Sequence, residues 1–360
     1  MMIKIFSIDS TNACKGMALF LLLWHHLFYR YPEFGFLTFK VAGLSKVCVA
    51  VFVILSGYGY SESLKIKNIG LFAFYQKRLI NLYSNYWFIA LIFVPIGILF
   101  MNRHLQDVFT NYAYAKFIIQ MTGLHRFVYS EYGYNATWWY MSVIIPLTIL
   151  FPFIFVLNKK YGVLILIFCF IILLPKKSIF PIINPWLLPF ALGIYFSRKN
   201  YFVTISNRLN ICGKWRFVIL IAAILLVAIL RSRIPFLADI KIDWLFGGLI
   251  ILFVFEMTSA FQLLENVLSF FGKHLFNIFL FHTFIYFYYW KNFIYSFQNP
   301  LLIFLMLLSI CIAISLAIEQ IKKRAYFYKL IEKAKGWQIP NSLEIAFQQN
   351  APADSPTSSR

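Results

Sequence analysis

The stretch Cys14 to His26, CKGMALFLLLWHH, is apolar apart from Lys15, His25 and His26. A lysine at the middle of a membrane-grade helix costs about 2.5–3.5 kcal/mol, so such groups usually face a polar cavity or reach for an interface. Lys15 and His26 are eleven residues apart. At 3.6 residues per turn that is about three turns, so both fall on one helical face roughly 16 Å apart. His25 points about 100° away. Histidine titrates near pH 6.5 and suits proton transfer near neutrality. His26 therefore reads as a general base, His25 as a second candidate, and Lys15 as a charge along the same polar corridor. The plainer alternative stays open: Lys15 snorkels to the inner headgroups and the histidines sit in the outer interface. No third ligand stands at useful spacing, so no metal site is expected.

The elements that must position these groups follow from composition. Of 360 residues, 61% are hydrophobic and 13% charged. Soluble domains average about 45–50% apolar and 25% charged, so the excess apolar surface calls for lipid as solvent. The expected fold is an all-α polytopic membrane protein. Apolar runs near the ~20 residues needed to cross a bilayer predict ten helices, at about 13–30, 41–60, 80–101, 137–157, 161–175, 181–197, 215–230, 242–258, 274–290 and 300–321. With both termini in the cytoplasm, inner segments hold twenty lysines and arginines and outer segments eleven. That bias favours this orientation. Residues 1–321 form the transmembrane domain in this reading. Residues 322–360 form a basic tail that begins as a surface helix and ends in NAPADSPTSSR, a composition that favours disorder.

Several classes are excluded or disfavoured. The net charge of +20 is accounted for by inner-loop cations rather than by nucleic-acid binding. The five cysteines are dispersed, with no C-x-x-C pair, so neither a disulfide framework nor a zinc site is expected. The first apolar run ends in Trp24-His25-His26 without a small-residue cleavage site, and is expected to remain as the first membrane helix.

Five stretches in order, NACKGMALFLLLWHH, VFVILSGYGY, FYQKRLINLYSNYW, TWWYMSVIIPLTILFP and GKHLFNIFLFH, resemble the acyltransferase-3 family of membrane acyltransferases. These are ten-helix proteins that modify surface polysaccharides and glycolipids. Lys15 takes the place of the family's first-helix arginine and His26 that of its histidine. Lysine keeps the charge but loses the bidentate fork. Asn12 stands where the family often has aspartate. Ser56 and Gly57 match the second-helix pattern, Trp139 falls in the fourth-helix pattern, and His282 closes the late segment. Arg78 matches the first of two inner-loop arginines; the second falls on Asn81, beside which Lys77 supplies a neighbouring charge.

The resemblance implies transfer of an acetyl or other short acyl group from an acyl-coenzyme A donor to a hydroxyl of a polysaccharide or glycolipid, in the cytoplasmic membrane of a bacterium. The coenzyme is a donor substrate, and no permanently bound cofactor is implied. Arg78 and Lys77, with Lys65 and Lys67, would meet the donor's phosphates, although ordinary inner-loop charge explains the same residues. His26 would act as base and then acid, with Lys15 orienting the donor. His282 would line the cavity, or serve as a hydrogen-bonded core histidine. Ser56 and Gly57 would let helices approach closely. Two rivals remain: a transporter of lipid-linked glycans, since intramembrane charge and broken helices also mark solute pathways, and a non-catalytic membrane subunit.

Overall fold

Ser7 starts the first helix. Its hydroxyl accepts from the Ser10 amide at 3.0 Å, and Asp9 in the first turn suits the positive end of the helix dipole. The computed structural model describes residues 5–66, 70–175, 180–234, 236–237, 241–325 and 327–335. Their helices are α1 (Ile8–Phe28), α2 (Phe36–Ser45), α3 (Cys48–Ile66), α4 (Leu71–Phe100), α5 (Leu105–Val108), α6 (Ala113–Met121), α7 (Met141–Tyr161), α8 (Val163–Leu173), α9 (Asn184–Lys199), α10 (Tyr201–Leu209), α11 (Trp215–Arg233), α12 (Asp243–Ala260), α13 (Gln262–Thr283), α14 (Lys291–Tyr295), α15 (Pro300–Arg324) and α16 (Phe327–Lys335). Among the described residues there is no strand.

Among the described residues, six segments are long and apolar enough to cross a membrane: Phe36–Lys65, Leu71–Phe100, Ala136–Tyr161, Trp215–Arg233, Asp243–Ala260 and Pro300–Arg324. The other four expected spans coincide with α1, α8, α9 and α13. α8 has only 11 residues and α9 only 16. Prolines explain the truncation, since Pro185 opens α9 and Pro175 follows α8. α1 and α13 have the length, at 21 and 22 residues. Their polar positions, Asn12, Lys15, His25 and His26 on one and Glu265, Lys273, His274 and His282 on the other, dilute their apolar content. The expected second span is broken at Lys46 and Val47 into α2 and α3. The expected disordered end, NAPADSPTSSR, lies outside the described residues.

Two helix pairs set the core. α1 and α13 run parallel: Ser10 bonds Glu265 at 3.0 Å near one end, and the His26 ring meets His282 near the other. Gly16 and Gly272 make the contact possible. A Cβ on Gly16 would overlap the Leu268 carbonyl, and one on Gly272 would overlap the Asn12 carbonyl. α3 and α9 meet the same way, with Gly57 against the Phe190 carbonyl and Gly193 against that of Ile54. Lipid chains offer no hydrophobic drive for helices to associate, so close backbone packing at small residues carries the attraction. Gly57 thus stands at a close helix approach and lines neither of the two cavities described below.

Side chains on α8 and α11 such as Leu164, Phe168, Leu225 and Ile229 are exposed. A continuous apolar surface of this kind is what lipid tails cover. The buried ion pair between Arg231 Nε and Asp243 Oδ1, at 2.7 Å, ties α11 to α12, and Arg231 Nη1 also donates to the Gly43 carbonyl of α2 at 3.1 Å.

Candidate active site

Two separate cavities lie along the α1–α13 pair. The first, at the end where α1 begins, has a volume of about 570 Å³. Lys15, Arg78 and Lys273 line it, together with the amides of Asn12, Asn81 and Asn85, and no carboxylate does. Lys15 Nζ donates to Asn12 Oδ1 at 3.4 Å. The Arg78 guanidinium sits 4.4 Å over the Tyr60 ring and donates to Ser63 Oγ at 2.8 Å and the Gly59 carbonyl at 3.2 Å. Three cations in a concave site without a carboxylate suit a multiply charged anion, as phosphates are.

The second cavity, at the other end of α1, has a volume of about 180 Å³. His25, His26 and Arg30 line it, with Tyr31, Tyr132, Trp139, Thr283 and Tyr286 among its other walls. His26 is half-buried here. Its ring centre lies 5.2 Å from that of His25 and 4.9 Å from that of His282. Its Nδ1 is 3.5 Å from the Tyr286 hydroxyl.

His282 is fully buried and lines neither cavity. Its Nδ1 lies 2.9 Å from the Ile278 carbonyl and 3.1 Å from that of Phe279. Carbonyls only accept, so Nδ1 carries the proton. That leaves a lone pair on Nε2, which is buried and has no hydrogen-bond partner. The same logic fixes His25, whose Nδ1 is 2.7 Å from the Ala42 carbonyl.

The sequence led us to expect one corridor holding both Lys15 and His26. The structure instead gives each its own cavity. Phe52, Tyr140 and Phe279 stand at the wall of the first cavity, and none of them lines the second. Their ring centres are 5.1–6.5 Å apart, and all three line the first cavity. Trp139 faces one side and Tyr140 the other, as do Thr283 and Phe279. Ser56 lines the first cavity but spends its hydroxyl on the Phe52 carbonyl at 2.8 Å. Lys77 lines neither cavity, whereas its neighbour Arg78 does.

Sequence reasoning missed the frame that holds the histidines. Trp138 Nε1 and Asn135 Nδ2 both donate to the Leu280 carbonyl, at 2.8 and 3.2 Å. Thr137 and Thr283 hydroxyls donate to Asn135 Oδ1, at 2.7 and 2.8 Å. These bonds pin the 135–139 segment to α13 on either side of His282. Immediately beyond, Phe284–Tyr289 forms a π-helix, a distortion frequent at functional sites. Tyr286, on that π-helix, stacks on His282 at 6.0 Å. Lys273 was also overlooked as a cavity residue, because a lysine beside a span looks like any other inner-loop charge.

The loop between α4 and α7 caps this end. Lys116 bonds Glu131 at 2.6 Å and holds its carboxyl below the ordinary range. Burial pushes His125 down to about 4, with the Arg126 charge adding to the effect. Among the described residues, no group of three or more potential metal ligands is found.

No curated protein and no solved structure matches the chain. A family model described as an acyltransferase domain matches residues 8–320, which takes in α1, both cavities, His282 and most of α15. The chain belongs to the acyltransferase-3 family.

Proposed function

We propose that this membrane acyltransferase moves an acetyl or other short acyl group from acyl-coenzyme A to a hydroxyl of a polysaccharide or glycolipid. The observation that carries this reading is the pairing, on one pair of helices, of a three-cation cavity with a histidine-walled pocket. The donor's phosphates occupy the first cavity against Lys15, Arg78 and Lys273. Its pantetheine arm runs toward Phe279. The acceptor hydroxyl enters the second cavity beside His26. The first cavity opens to the cytoplasm of a bacterial cell, and both termini lie on that side.

His26 takes the acceptor's proton as its oxygen attacks the thioester carbonyl, forming the new C–O bond. Collapse of the tetrahedral intermediate breaks the C–S bond, and the thiolate leaves with the proton that His26 held. The products are the ester and the free thiol, and His26 returns to its starting state. The Tyr286 hydroxyl holds the His26 ring. The partition formed by Phe52, Tyr140 and Phe279 must open for the acyl carbon to reach the acceptor.

One observation favours a second reading. Two cavities at opposite ends of one helix pair, with a thin partition, also suit alternating access by a transporter. Purified protein in liposomes, given radiolabelled acetyl-coenzyme A and an acceptor glycan, separates the two. Covalent label on the glycan supports transfer. A glycan that crosses the bilayer without label overturns it in favour of transport.

A further inference from the structure

Arg30 follows His26 by four residues and lies in the turn just past the end of α1. It lines the second cavity and is exposed at its mouth. Three other cations at this end of the molecule are engaged: Arg231 by Asp243, Lys116 by Glu131, and Arg103 by the Tyr288 face at 3.8 Å. Among the described residues Arg30 forms no salt bridge and no hydrogen bond. No aspartate or glutamate lines the cavity. A second cation, Lys291, stands at the rim, 5.6 Å over the ring of the lining residue Tyr31.

The remaining walls suit a sugar. Tyr31, Tyr132, Trp139 and Tyr286 offer flat apolar faces with polar edges. In such a pocket, a few placed polar groups decide orientation and specificity. A guanidinium without a carboxylate partner presents a fork shaped for carboxylate or phosphate.

We propose that the second cavity selects an acceptor sugar bearing a negative charge, a carboxylate or a phosphate, which pairs with Arg30 and sets a neighbouring hydroxyl against His26. This rests on the acyl-transfer reading and names the substrate class for its acceptor site. Lys291 adds attraction at the rim. The site holds a single anionic sugar unit and leaves the rest of the glycan outside.

The test uses the full chain, purified in detergent, and three probes: methyl β-D-glucuronide, D-glucose 1-phosphate and uncharged methyl β-D-glucoside. Dissociation constants are read by saturation-transfer NMR titration. At least one charged probe is expected to bind about five-fold more tightly than the glucoside at low salt, with the gap shrinking at high salt. Which charged probe wins distinguishes a carboxylated sugar from a phosphorylated one, and either supports the proposal. Arg30→Gln is expected to erase the preference and Arg30→Lys to restore part of it. Equal affinity for all three probes, no binding by any, or a preference that survives Arg30→Gln overturns the proposal. Failure of this charge rule leaves label transfer to the native glycan intact. Absence of label transfer by the wild type sinks the acyl-transfer reading whatever the affinities.

Discussion

The His282 ring centre lies 4.9 Å from that of His26, with a proton fixed on Nδ1 by two backbone carbonyls and an unpartnered lone pair on Nε2. A buried acceptor without a partner carries a desolvation cost of about 1–3 kcal/mol. That acceptor stands beside the ring proposed as the base, His26.

The first prediction concerns this pair. His26→Ala should lower acyl transfer by about 10²–10⁴-fold, the usual worth of a positioned general base. His282→Phe should lower kcat by about ten-fold or more with little change in KM for the donor, because it touches neither substrate. Steady-state kinetics with labelled donor checks both. A His282→Phe enzyme with unchanged kcat would return that residue to a packing role.

The donor cavity gives the second. Arg78→Ala and Lys273→Ala should each weaken acyl-coenzyme A binding by about ten-fold, the scale of a charge-assisted hydrogen bond. The loss should be smaller at high salt, where screening already weakens the attraction. Lys160→Ala, an exposed charge on α7 that lines neither cavity, should bind the donor as wild type does. Calorimetric titration in detergent reads all three.

Helix approach gives the third. Gly16→Ala and Gly272→Ala each place a methyl group inside a facing backbone carbonyl, and should destabilise by about 1–3 kcal/mol. At Gly43 a Cβ would meet only the Tyr29 ring, at 3.8 Å. Gly43→Ala should therefore stay within about 0.5 kcal/mol of wild type. Thermal unfolding in detergent gives the comparison.

The fourth concerns the cap. His125 is fully buried, with neither ring nitrogen hydrogen-bonded, and burial holds it down to about 4. The unfolded loop binds its proton near pH 6.5, so the folded cap is favoured above that pH and loses stability as pH falls toward 4. Between pH 7 and pH 5 the loss is about 2 kcal/mol. Protection factors in residues 122–129, corrected for the slower intrinsic amide exchange at lower pH, should fall over that interval in wild type and less in His125→Phe.

Charge against an apolar background made Lys15, His25 and His26 legible in the sequence, because each is costly where it stands; Arg78 stood out only by its place in the family pattern. The spans of α4, α7, α11, α12 and α15 were legible by length and hydropathy. Asn135, Thr137 and Thr283 were not. Neutral polar residues near helix ends are common, and only tertiary packing brings these three around one oxygen. Tyr286 was lost among 22 tyrosines. The division into two cavities was equally hidden, since phenylalanines that close a passage and phenylalanines that fill a core share one hydropathy. The short α8 and α9 show the reverse: hydropathy marked both as spans, and the prolines beside them cut their helices short.

Phe52, Tyr140 and Phe279 also bear on the membrane's electrical integrity. A continuous file of water from one mouth to the other would leak ions and discharge the gradient across the bilayer. The three aromatic rings, packed against one another at the wall of the first cavity, put apolar matter in the way of such a file.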